Sequence, residues 1–221
     1  MKIANILFVI SWIVFLVYYF LCLRKLYSSP KVVFGNINIP ADKLMVVAHP
    51  DDETIFGGIQ LLQDKGWKIV CVTNGSVQSN NIFRRSKNNN RIIEFSNVMN
   101  SLQYPYEVWD FEDNFFNNHW DEGLLIQKLV KLFNEKTYHK IVTHNLSGEY
   151  GHKQHRKLSE IIHYINPPNL YVFNVDQNIF NQNHPKWHDL LLLLDKYGSQ
   201  NQIIQKHYFY ILHQTIKPIC Y

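Results

Sequence analysis

Two short stretches of this chain bring together side chains that can do metal and hydrolytic chemistry. The first is Ala48-His49-Pro50-Asp51-Asp52-Glu53. A histidine followed by two adjacent carboxylates can divide two tasks. His49 and Asp52 stand three positions apart and can converge on one metal ion. Asp51 then points elsewhere, free to take a proton from water. A bland reading competes: acids are favoured at helix N-termini, and Asp51 or Asp52 could be a cap. Three consecutive acids behind a histidine and a proline, at the end of an apolar run, favour the chemical reading. The second stretch is Thr143-His144-Asn145-Leu146-Ser147-Gly148-Glu149-Tyr150-Gly151-His152-Lys153-Gln154-His155. His152 and His155 are i and i+3 and share a helix face, so one can bind metal while the other faces substrate. Histidines on a polar surface are the competing reading here. Two imidazoles and one carboxylate leave a coordination position for water, which is the donor set of a catalytic zinc site.

The elements that would carry these stretches alternate. Leu44–Ala48 is a short apolar run suited to a buried parallel strand, and Thr54–Lys65 has helical spacing. Trp67–Thr73 reads as a strand ending at the Asn74-Gly75 turn signal, and Asn89–Leu102 as an amphipathic helix. Strand 106–111, helix 122–134, strand 139–144, helix 152–165 and strand 170–175 follow. This alternation predicts an α/β domain with a Rossmann-like, mostly parallel sheet and flanking helices. Ligands of such sheets bind beyond the carboxyl ends of the strands, and both polar stretches lie there.

The His-Pro-Asp-Asp-Glu run and Gly151-His152-Lys153-Gln154-His155 together resemble the LmbE/PIG-L family of zinc-dependent de-N-acetylases, which includes the N-acetylglucosaminyl-phosphatidylinositol de-N-acetylases. Arg91-Ile92-Ile93-Glu94 is similar to the family's R-x-x-E, and Lys186 with Tyr197-Gly198-Ser199-Gln200 to its late segment. The likeness covers roughly residues 43–200. It implies metal ligation by His49, Asp52 and His155, with Zn2+ bound and Fe2+ as the alternative ion. It implies Asp51 as general base and His152 as the group that stabilises the oxyanion or protonates the leaving amine. Arg91, His144 and Asn145 would contact substrate, although Arg91 could instead pair with Glu94 on a helix surface. The implied reaction releases acetate from an N-acetylglucosamine unit, with N-acetylglucosaminyl-phosphatidylinositol as the leading substrate and a soluble conjugate or glycan as the alternative. A catalytically silent binding protein is the third reading, against which the complete residue set argues. Glu149-Tyr150 departs from the commonest family pattern, and the aromatic tail His207-Tyr208-Phe209-Tyr210 leaves the substrate open.

Composition sets the frame. The chain has 221 residues, 46% hydrophobic and 18% charged, enough for one domain with a sizeable core. Residues 1–31 hold four basic residues and no acid, which leaves 18 basic against 18 acidic in the rest. A neutral body without a basic stripe argues against nucleic acid as a partner. Cysteines at 22, 71 and 220 form neither a disulfide framework nor a zinc motif. Ile3–Leu23 carries no charge and is long enough, at about 1.5 Å per residue, to cross a hydrocarbon layer of ~30 Å. It predicts an N-terminal transmembrane anchor over 1–26 and a linker over 27–42 before the catalytic domain 43–221. Arg24, Lys25 and Lys31 follow the span, so the positive-inside rule predicts a single-pass membrane protein with its domain on the cytoplasmic side, at the endoplasmic reticulum if eukaryotic. The sequons at Asn74 and Asn145 sit beside the candidate site, where a glycan would obstruct it.

Overall fold

A computed structural model describes residues 10–19, 32–77, 89–113 and 120–219. The chain divides into two units, 1–31 and 32–221. In the first, residues 10–19 are helical with exposed side chains. The expected transmembrane helix is corrected here. Among the described residues no helix is long and apolar enough to cross a membrane. The helical stretch 10–19 is about half of the roughly 20 residues a span requires. The rest of the expected span, 1–9 and 20–26, lies outside the described residues. The single-pass placement, with its cytoplasmic side, was argued from that span and is withdrawn with it.

The second unit is a mixed α/β domain around one sheet. Its elements are β1 (Val33–Gly35), β2 (Lys43–Val47), α1 (Asp52–Gln63), β3 (Trp67–Val77), α2 (Asn89–Leu102), β4 (Tyr106–Asp113), α3 (Glu122–Asn134) and β5 (Lys140–Thr143). Then come α4 (Gly148–Gly151), α5 (Lys153–Ile165), β6 (Leu170–Val175), α6 (Trp187–Asp195), α7 (Asn201–Lys206), α8 (Tyr208–His213) and β7 (Gln214–Pro218). The strand order is β1-β4-β3-β2-β5-β6-β7. The five inner strands are parallel, and β1 and β7 close the edges antiparallel. Both edge strands lay outside the predicted alternation, and β1 falls in the stretch read as a linker. Three and five residues long with polar or exposed flanks, they carry too little pattern to be read from sequence.

Alternation of side chains assigns the two faces. Met45, Val47, Ile69 and Cys71 join the core under α1, α2 and α6. Leu44, Val46, Val70 and Val72 join the core under α3 and α5. All eight are fully buried, which is why these strands read as unbroken apolar runs. Chain order reverses at β2, with β3 on one side and β5 on the other, so the crevice beyond their carboxyl ends is the switch point of the sheet. The strand β3 runs past Asn74-Gly75 to Val77 through register shifts instead of turning there. Gly75 has φ +68, and a Cβ on it would stand 3.0 Å from the Arg91 side chain, so glycine lets Arg91 lie across the strand.

The helix α1 must lie close to the sheet for its first turn to meet the strand ends. Gly57 permits this, since a Cβ there would stand 2.8 Å from Met45 and 2.9 Å from Phe173. Gly57→Val is expected to destabilise the fold by about 1–3 kcal/mol despite its better helix propensity. Urea unfolding of the variant beside the parent measures this, and equal midpoints would remove the close-approach argument.

Candidate metal centre and active site

The first motif turns from β2 into α1 with Asp51 at the N-cap position and φ 121, ψ −27. L side chains rarely adopt such a conformation, and it sends the two adjacent acids different ways. The Asp51 side chain makes no cap hydrogen bond. Instead Arg91 Nη2 donates to both its oxygens at 3.1 Å and to Pro50 O at 3.0 Å. Asp52 Oδ2 accepts the His49 backbone N–H at 2.8 Å. The capping explanation of the motif therefore fails for both residues. Burial, and less so Asp52, push the Asp51 carboxyl up to about 7, against the pull of Arg91. Burial would also raise Asp52, but the His155 and His49 imidazoles hold it well below the usual carboxylate range.

Three predicted ligands meet. His49 Nδ1 lies 3.1 Å from Asp52 Oδ2 and 3.1 Å from His155 Nε2, and His155 Nε2 lies 3.2 Å from Asp52 Oδ2. The second nitrogen of each ring fixes what this means. His155 Nδ1 stands 2.7 Å from Glu149 Oε2 and donates to that carboxylate. His49 Nε2 stands 2.7 Å from Gln154 Oε1, whose amide is oriented by donating from Nε2 to Glu112 O at 2.7 Å. Neutral rings so held aim two lone pairs and a carboxylate oxygen at one point with no proton among them. A cation satisfies all three, whereas a proton can bridge only two at a time. Tetrahedral ligands at ~2.0–2.1 Å from zinc stand roughly 3.3–3.4 Å apart, within a few tenths of an ångström of what is seen.

Among the described residues, two groups of three side chains could hold a metal: His49, His152 and His155, and Asp52, His144 and His155. His144 is the weaker candidate because its Nε2 accepts the Ala48 N–H at 3.0 Å. His152 remains beside the triangle, its ring centroid 4.7 Å from His49 and 4.4 Å from His155. Burial and the neighbouring imidazoles lower its pKa to about 2, so the ring is neutral and offers one N–H.

His49, Asp51, Asp52, Arg91 and His152 all line one cavity of about 200 Å³. Larger clefts of about 380 and 580 Å³ lie elsewhere and contain none of these five. His144 and Asn145 do not line the site cavity. His144 is fully buried, and the Asn145 side chain is spent on Phe173 O and on the Glu149 N–H. The substrate-contact role expected of both has no support in their placement. Arg91 reaches the cavity but pairs with Asp51 and Asp113, not with Glu94. Glu94 instead accepts the Ser199 N–H at 2.8 Å and its hydroxyl at 2.5 Å, so two minor motifs hold each other. Likewise Tyr197 donates at 2.5 Å to buried Glu53. Three residues were missed: Glu149, Gln154 and Asp113. Asp113 ends β4 and could have been flagged by the strand-end rule alone. The other two lie inside the second motif, where histidines drew all the weight.

A sequence model described as GlcNAc-PI de-N-acetylase, PIG-L, matches residues 44–166. The chain belongs to the PIG-L family. Protein L374 of Acanthamoeba polyphaga mimivirus, itself uncharacterised, is 46% identical over 204 residues, 88% of each chain. Among solved structures, a deacetylase of teicoplanin biosynthesis is similar with TM-score 0.59 and 13% identity, over 80% of this chain and 97% of that one. The N,N'-diacetylchitobiose deacetylase of Pyrococcus horikoshii matches with TM-score 0.58 and 15% identity, over 80% and 84%. The 4-carboxy-2-hydroxymuconate hydratase GalB of Pseudomonas putida also matches, with TM-score 0.57 and 12% identity over 83% and 97%. Identities this low speak for the fold alone, and a hydratase on that fold shows that the reaction must be argued from the site. The site of this PIG-L member predicts that His155→Ala sharply lowers bound divalent ion, read by elemental analysis of purified protein. Full metal content in that variant would strike His155 from the ligands.

Proposed function

We propose that this PIG-L member is a metal-dependent amidohydrolase that removes acetyl from an N-acetylglucosamine unit. The observation that carries the reading is the cluster of three acceptors, His49 Nδ1, Asp52 Oδ2 and His155 Nε2, of which His49 and Asp52 line one cavity with Asp51 and His152. Zinc suits these nitrogen and oxygen donors, with Fe2+ the alternative, and when bound it supplies Lewis acidity that acidifies water and polarises an acyl oxygen. Asp51, clamped by Arg91, takes the proton of the attacking water as its oxygen bonds to the acetamide carbon. The neutral His152 donates its N–H to the acyl oxygen as negative charge builds there. The C–N bond breaks, the proton passes to the departing nitrogen, and acetate and a free amino sugar leave.

The substrate class we favour is a water-soluble N-acetylglucosamine conjugate or glycan. The lipid-linked alternative, N-acetylglucosaminyl-phosphatidylinositol, drew its strength from the membrane anchor and loses that support. Acetate release should be measured with N-acetylglucosamine, diacetylchitobiose and the lipid-linked glycan, each with and without a chelator. Chelator-sensitive acetate from a soluble substrate is expected. Release from the lipid-linked glycan alone would restore it as the substrate, and no release from any would sink the reaction.

The two acids of the first motif separate by their effects. Asp51→Asn should keep its metal and lose roughly 10²–10⁴-fold in turnover, the usual range for general-base assistance. Asp52→Ala should lose metal and activity together. Metal content and acetate release on the same two preparations decide this, and the roles must be exchanged if Asp51→Asn empties the site while Asp52→Ala stays loaded.

A further inference from the structure

Glu149 belongs to no part of the reaction as derived, yet its side chain takes three hydrogen bonds beside the candidate metal centre. Its side chain is 1% exposed. One oxygen, Oε2, receives the Nδ1–H of His144 at 2.8 Å and of His155 at 2.7 Å. The other, Oε1, receives the Asn145 backbone N–H at 2.9 Å. The backbone is bent to deliver it: Glu149 sits at φ 56, ψ −71, between Gly148 at φ +67 and Gly151 at φ +89. Asn145 holds the bend by accepting the Glu149 N–H at 3.1 Å and the Ser147 hydroxyl at 2.5 Å.

The two histidines that share Oε2 belong to different jobs. Their rings stack with centroids 3.8 Å apart and planes at 19°. His155 presents Nε2 to the metal centre, while His144 presents Nε2 to the N–H of Ala48, the residue preceding His49. Both arrangements require the proton on Nδ1. One carboxylate oxygen thus dictates that one ring keeps a lone pair for the metal and that the other ties the second motif to the first.

We propose that Glu149 is a positioning residue for the metal: it fixes His144 and His155 as Nδ1–H tautomers and locks the two motif loops in register around the ion. The proposal rests on the metal-site reading above. Glutamine cannot replace it. A side-chain NH₂ turned toward the imidazoles meets two N–H donors and drives His155 to the Nε2–H tautomer, which has no lone pair for the ion. Turned the other way, it meets the Asn145 N–H.

The test is titration of zinc into the metal-free protein against a chromophoric chelator, with the visible spectrum of the cobalt-loaded form as second readout. Glu149→Gln should bind zinc about 10–100-fold more weakly than the parent, the range for lost outer partners of ligands, and should shift the cobalt spectrum. Its metal-free melting temperature should fall as well, because the buried amide cannot satisfy all three donors, so affinity and spectrum decide. A role confined to folding the loop would lower the melting temperature with parent-like affinity and spectrum, and that overturns the proposal. Should Glu149→Gln not fold, Glu149→Asp keeps the charge one methylene short of both rings. It should bind with intermediate affinity, and parent-like affinity there overturns the proposal equally. A parent that takes up no ion overturns this proposal and the metal-site reading together, whereas a parent that binds zinc beside an equally tight Glu149→Gln overturns this one alone.

Discussion

Three hydrogen-bond acceptors that repel one another are held within 3.2 Å in a buried crevice, and the rest of the domain is organised around keeping them there. Left alone, such a cluster would spread or take up protons. It is prevented by hydrogen-bond partners placed behind each member, one donor and two acceptors. The His49 N–H points at Asp52, the Gln154 amide takes one edge of His49, and the Glu149 carboxylate takes the back of His155. Burial raises the local cost of leaving charge uncompensated, so the cluster suits a cation. Against burial, Asp113 and Asp52 raise the His49 pKa.

The same constraint explains where the backbone is strained. Asp51 and Glu149, with positive φ, are the hinge points of the two motifs. At Asp51 the strain separates neighbouring carboxylates so that one faces the imidazoles and the other Arg91. At Glu149 it turns a carboxylate inward beneath two rings. Such conformations persist only where surrounding contacts over-determine them, and here those contacts are the Arg91 clamp and the Asn145 bridge. Arg91 is itself fixed twice, through Asp51 and through Asp113 at the end of the neighbouring strand. Removing the guanidinium would leave two buried carboxylates facing each other, so its place at the cavity wall is first electrostatic.

What could be read in the sequence follows from how local its cause is. The inner strands and their helices were legible because burial on both faces writes unbroken apolar runs and 3.6-residue spacing into the chain. The edge strands carry no such pattern, and their pairing is dictated by neighbours far away in sequence. His49, Asp52 and His155 could be assigned through the family resemblance, and they converge. His144 and Asn145 were grouped with the substrate contacts because they stand beside the motif. Their hydrogen bonds run into the protein interior, a direction that adjacency in sequence does not encode. The N-terminal apolar run shows the opposite failure. Hydropathy over Ile3–Leu23 met the length criterion for a membrane helix, but among the described residues the helical stretch there is too short to satisfy it.

The matched family span ends at residue 166, yet the cavity does not. Its far wall is made by Gln200, Ile203, Lys206 and His207, with the His207 ring stacked on Tyr150 at 4.1 Å. This late segment is pinned at two points to the catalytic half, by Tyr197 on Glu53 and by Ser199 on Glu94. Glu53 belongs to the first motif and also accepts the Asp51 N–H at 3.1 Å, so the wall is fastened to the very turn that divides the two acids. A wall fixed this way can change its exposed residues without moving the ligands, because its cavity-facing side chains are not among its anchors, of which the Tyr197–Glu53 pair is buried. The floor therefore carries the proposed chemistry, and the wall, built from residues beyond the matched span, limits what can be laid upon it.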